Sequence, residues 1–78
     1  MNVRPLTDFP SGSRGRVQRL LGGRMLSQRL AGLGLTVGAM VEVLQNYGRG
    51  PLIVSVRDTR IALGRGQADK VLVEPRDG

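Results

Sequence analysis

Residues 22–45 read GGRMLSQRLAGLGLTVGAMVEVLQ, and their hydrophobic period changes partway along. From Arg24 to Leu33, the residues Leu26, Leu30 and Leu33 fall at i, i+4 and i+7. That spacing predicts one apolar face of a helix of about two and a half turns. Gly34 follows at once and suits the left-handed residue that closes a helix. So short a helix does not persist alone in water, so its leucine face must dock on something. From Ala39 to Gln45 the period falls to two. Val41 and Val43 then share one face of a strand, with Glu42 and Gln45 reaching solvent.

The flanks read as more short strands cut by glycine and proline, of which the chain has twelve and four. After a turn at Phe9-Pro10-Ser11-Gly12, GRVQRLL sets Val17 and Arg19 in alternation with Gln18 and Leu20, and Gly22-Gly23 ends it. Tyr47-Gly48-Arg49-Gly50-Pro51 is a loop. LIVSVR alternates Leu52, Val54 and Val56 against Ile53, Ser55 and Arg57. Asp58-Thr59 then makes a two-residue hairpin turn. TRIALG puts Ile61 and Leu63 inward and Arg60 outward. GRGQAD is a turn or one turn of helix, and KVLVEP closes with Val71 and Val73, stopped by Pro75. The sum is a mainly all-β chain of about five strands with one α-helix inserted after the first. Strands of this length curl into a small SH3-like β-barrel, or into an OB-like barrel as the alternative. A single domain over residues 1–78 is expected, its core from about 5 to 74, with 75–78 a frayed tail.

Composition narrows the function classes. A chain of 78 residues buries only about 60–65% of its unfolded surface, which makes stability modest. It has no cysteine to staple that core, which fits a reducing cytoplasm. No apolar signal region opens the chain, and the longest uncharged stretch, Leu30 to Val41, is too short to span a bilayer. The net charge is +6, and eleven of the twelve basic residues are arginines scattered along the chain. Such a field favours an acidic partner, a nucleic acid or an anionic surface.

Catalysis finds no footing. With neither His nor Cys, the serines lack a base, and the six acids stand singly. The same absence leaves only carboxylates, carbonyls and thioethers as metal ligands, so neither a metal nor a cofactor is expected. The two Gly-Arg-Gly triplets match no phosphate-binding loop and read as turns. A nucleic-acid-binding barrel needs stacking aromatics, and only Phe9 and Tyr47 are offered. A protein-binding module remains. Met25 and Leu26 are adjacent, so both are wedged at the rim of the core or one faces away. In the second case Met25, flanked by Arg24 and Arg29, is an apolar spot ringed by charge.

The order of these motifs resembles the ferrous iron transport protein A (FeoA) family from about Pro5 to Glu74. Gly22-Gly23, a helix carrying Arg29-Leu30, the corner Leu33-Gly34-Leu35, Gly38 and an alternating strand follow the family's sequence of features. Gly50-Pro51-Leu52 resembles its third-strand opening. Leu63-Gly64-Arg65, Ala68, Val71 and Val73 resemble its closing signature. Leu33 departs from the family's common methionine, conserving volume. The resemblance implies an SH3-like barrel and a cytosolic accessory of FeoB, a membrane ferrous iron transporter with a cytosolic GTP-binding domain. Among the matched positions, Gly34, Gly38, Gly50 and Gly64 would permit corners and Pro51 would set the start of a strand. Arg29 and Arg65 would brace loops or touch the partner. The candidate partner-binding set is therefore Arg24, Met25, Arg29 and Arg65.

Overall fold

The architecture, seen in a computed structural model that describes residues 2–76, is one antiparallel sheet curled around a single apolar core. Its strands are β1 (Arg4–Pro5), β2 (Arg14–Leu20), β3 (Met40–Gln45), β4 (Leu52–Val56), β5 (Thr59–Leu63) and β6 (Val71–Arg76). They lie in the order β1-β6-β2-β3-β4-β5. A 3-10 turn at Leu6–Asp8 follows β1, helix α1 (Gly23–Gly32) joins β2 to β3, and the one-turn helix α2 (Arg65–Ala68) joins β5 to β6. The sheet thus holds six strands rather than five. The extra one, β1, is two residues long and carries no periodicity to read. Because β1 comes first, α1 follows the second strand.

Alternation decides which side chains go inward. Leu52, Val54 and Val56 on β4, Ile61 and Leu63 on β5, Val41 and Val43 on β3, and Val71 and Val73 on β6 are all buried. Burying each contributes about 1.5–3 kcal/mol, and no polar or charged residue is buried among those described. Two β-bulges add the curl. The register of β2 on β6 shifts between Val17 and Arg19, and that of β3 on β4 shifts between Val43 and Gln45. A bulge bends its strand and raises the local twist. The first also corrects the expected alternation: Gln18 is the extra residue, so Val17 points into the core while Arg19 is exposed.

Two strand ends differ from the sequence reading. The β4–β5 turn is Arg57-Asp58, not Asp58-Thr59, because Thr59 pairs with Val56 as the first residue of β5. Both turn residues have positive φ, 51° and 64°, the primed hairpin geometry that matches strand twist. Pro75 does not stop β6, which continues to Arg76. Proline is tolerated there because β1 pairs only with Leu72 and Val73, leaving β6 one-sided at residue 75. Residues 77 and 78 of the expected tail lie outside the described residues.

At the crossing of β2 and β6, Gly15 sits opposite Pro75. A Cβ on Gly15 would come within 2.4 Å of the Glu74 carbonyl oxygen and 2.5 Å of Val73 Cγ1. Only a bare backbone lets these strands approach so closely.

Candidate partner-binding surface

Helix α1 begins without help and ends with it. Gly22 supplies no side-chain cap and the first turn holds no acid, so the helix N-terminus gains neither stabilisation. The C-terminus closes in a Schellman motif: the Leu35 N–H donates to the Leu30 carbonyl at 2.9 Å, and the Gly34 N–H to that of Ala31 at 2.9 Å. Gly34 has φ +95°, and a Cβ there would sit 3.2 Å from Val56 Cγ1, so glycine is needed for conformation and space. The motif corrects the expected leucine face. Leu30 is fully buried and Leu26 packs partly on the core, but Leu33 caps the helix at 42% exposure. Leu35, brought round by the turn at Gly34, fills the core position instead.

This docking leaves the rest of α1 outside. Arg24, Met25, Gln28 and Arg29 are exposed, and Met25 is 83% exposed. Of the two readings of the Met25-Leu26 pair, the one with Met25 facing away holds. Met25, Arg29 and Leu33 follow one another at four-residue spacing along the same side. Leu33 then forms one wall of a cleft of about 600 Å³ between the end of α1 and the β4–β5 hairpin. Gly32 and Gly34 share that wall; Val56, Arg57, Thr59, Arg60, Ile61 and Ala62 complete the lining. Among the described residues the single ion pair is Arg76 with Glu74, at 3.7 Å. Arg24, Arg29, Arg57 and Arg60 are exposed and make no ion pair or side-chain hydrogen bond there, so their charge faces solvent. Met25 and Leu33 are thus exposed apolar residues on this side of α1, with Arg24 and Arg29 on the same helix and Arg57 and Arg60 lining the cleft. Among the described residues no cluster of three carboxylates comes together.

Arg65 lies elsewhere. Its Nε donates to the Gly50 carbonyl at 3.2 Å and a terminal nitrogen to Asn46 Oδ1 at 2.7 Å. It lines a separate depression with Thr7, Asp8 and Asp69. Asn46 is the centre of this network: its Nδ2 donates to the Thr7 and Phe9 carbonyls at 3.0 and 2.8 Å, and its Oδ1 also accepts from the Gly48 N–H at 3.0 Å. Three loops are tied at one side chain. The sequence reading passed over Asn46, which sat in it only as the residue before a glycine-rich loop. Gly34, Gly38 and Gly50 have positive φ, and Pro51 stands directly before β4. Gly64 has φ −60° and ψ 150°, an ordinary extended conformation, and precedes α2 as its cap. The structure thus groups Arg24, Met25 and Arg29, separates Arg65 from them, and adds Leu33, Arg57 and Arg60. Arg57 and Arg60 escaped notice because they read as the end of one strand and the polar face of the next.

Known proteins share this fold. The FeoA domain family model matches residues 4–75. A protein of Methanocaldococcus jannaschii named as an Fe(2+) transport protein A is 36% identical over 70 residues, which is 90% of this chain and 84% of that one. The crystal structure of an iron uptake regulatory protein, FeoA, superposes with a TM-score of 0.89 at 39% identity, covering 97% of this chain and all of the other. The zinc-complexed FeoA of Stenotrophomonas maltophilia, described as a prokaryotic SH3 domain protein, gives a TM-score of 0.73 at 31% identity over 88% of this chain and 87% of its own. With its motifs, its curled six-stranded sheet and nearly all its length accounted for in this way, the chain belongs to the FeoA domain family, SH3-like in fold and associated with ferrous iron transport.

Proposed function

We propose that this protein is a non-enzymatic, cytoplasmic accessory of ferrous iron uptake that binds the cytosolic part of a FeoB-type membrane transporter. The observation that carries the reading is the outward face of α1, where Met25 stands 83% exposed between arginines that make no ion pair among the described residues. An exposed apolar residue ringed by unpaired charge is the make-up of a protein interface, an apolar centre within a polar rim. Among the described residues no helix is long and apolar enough to cross a membrane, and the role we propose at the transporter is one of docking on it. Family membership supplies the link to ferrous iron. Arg65 serves the contact at a distance, by holding the loops around Asn46 in place.

A second reading, a basic nucleic-acid-binding barrel, draws on the same unpaired arginines. It is weakened by the aromatics: Phe9 is buried with the Arg4 guanidinium 5.6 Å from its ring centre, so Tyr47 alone is free to stack on a base.

An NMR titration separates the two. The isotope-labelled protein is mixed with the soluble GTP-binding domain of the transporter and, in parallel, with a DNA duplex at physiological salt. Shifts confined to α1 and the neighbouring cleft with the first partner, and none with DNA, are expected. Met25→Asp and Arg29→Glu should each weaken that binding about tenfold, a loss typical of an interface centre, with unchanged thermal stability since both side chains are exposed. Wild-type binding by both variants would refute the contact face, and shifts with DNA alone would replace the reading.

A further inference from the structure

The sheet has two ends, and they are not alike. At one end β1 is two residues long and contains Pro5, a short edge of the kind that resists pairing. At the other end β5 runs five residues, Thr59 to Leu63, with no proline and an unbroken register against β4. Nothing pairs with its far side among the described residues.

The turn fixes which main-chain groups face that open side. In a two-residue hairpin the residues flanking the turn exchange hydrogen bonds, so Val56 pairs with Thr59, and by alternation Val54 with Ile61 and Leu52 with Leu63. The N–H and C=O groups of Arg60 and Ala62 therefore point away from the sheet. They do so into the cleft beside α1, which both residues line. The free edge thus has a groove along it, walled on the other side by Leu33 and Gly34.

We infer that β5 accepts an extended, acidic segment of a partner protein as an added strand, laid in the groove between β5 and the end of α1. The inference deepens the partner-binding reading above and rests on it. Main-chain bonds to Arg60 and Ala62 supply the pairing, as in other strand-addition modes. Side chains along the added strand alternate, so one set faces the floor with Ile61 and Val56 and the other lies on the outer face with Arg60. The inner set is apolar and the outer set acidic, answering Arg57 and Arg60, which have no ion partner among the described residues. A second copy of this protein is a poor occupant. Antiparallel edge-to-edge pairing would bring the Arg60 side chains of both copies close in molecules that each carry +6.

The probe is a blocked heptapeptide, Glu-Val-Asp-Leu-Glu-Val-Asp, titrated into the labelled full chain and followed by NMR. Expected are amide shifts at Arg60, Ala62 and Gly34. Two N-methylated forms of the peptide, blocked on alternate amides in opposite phase, should differ: the form blocked on the side facing β5 binds at least about tenfold more weakly. Ala62→Pro removes an N–H that no strand uses, so the fold is kept while peptide binding falls by a similar factor. Equal binding of both methylated forms overturns the inference whatever the variant does, as does binding of a lysine-for-acid version as tight as that of the acidic one. A concentration-dependent dimer that Ala62→Pro abolishes would overturn it in favour of a second copy. If the transporter domain binds wild type and Ala62→Pro alike, the partner reading stands and the edge does not. If neither the domain nor the peptide binds, both fall.

Discussion

Replacing Asn46 by alanine should cost this protein about 2–3 kcal/mol of stability, more than most half-buried polar residues. Its side chain makes four hydrogen bonds, to the Thr7 and Phe9 carbonyls, the Gly48 N–H and the Arg65 guanidinium. Each neutral bond contributes about 0.5–1.5 kcal/mol net, and the one to a charged donor about 1.5–3. The plain sum overstates the loss, because Gly48 is exposed and water can replace its partner there. The two carbonyls beside buried Leu6 and Phe9 are harder to solvate, and their bonds with that of Arg65 set the estimate. A domain of this size is stable by about 4–12 kcal/mol, so the loss is a large share. The midpoint of thermal unfolding should fall by roughly 10–20 °C. Urea unfolding followed by far-ultraviolet circular dichroism measures it. Arg65→Ala should cost about 1–2 kcal/mol, and the double variant less than the two single losses together by about 0.5–2 kcal/mol, since they share a bond. A loss below about 1 kcal/mol for Asn46→Ala, or strict additivity in the cycle, would refute the hub as an energetic unit.

Gly15→Ala drives a methyl group to within 2.5 Å of both the Glu74 carbonyl and Val73, and overpacking where two backbones meet should cost about 3 kcal/mol or more; urea midpoints or soluble yield report it. The turn at Arg57-Asp58 holds two non-glycine residues at positive φ, so the double change Arg57→Asn with Asp58→Gly should raise stability by about 1–2 kcal/mol. If the same change also weakens binding of the acidic heptapeptide, Arg57 belongs to the contact as inferred above.

How much of this was legible in the chain depends on the kind of interaction. Helix α1 was readable because Leu26 and Leu30 repeat at four residues and glycine stands where the chain must turn left-handed. Strands β3, β4, β5 and β6 were readable because valines, isoleucine and leucines recur every second residue along them. The same period left Met25 open between the rim of the core and solvent, and the structure turns Arg24, Met25 and Arg29 outward.

Period and local preference act between neighbours in sequence, so the sequence by itself determined the mainly β composition, the place of the helix and the inward side of β3, β4, β5 and β6. Everything that depended on distant residues meeting was decided by the tertiary structure. Leu35 displaced Leu33 from the core because the Schellman turn swings the chain toward β4. Gln18 and Leu44 became bulges because strands of the curled sheet must stay in register with partners many residues away. Gly15 is irreplaceable only against Val73 and Glu74, and Asn46 is a hub only because Thr7, Phe9 and Arg65 arrive beside it from two other loops. The open side of β5 has the same origin: a strand is an edge only once the order of the whole sheet is set.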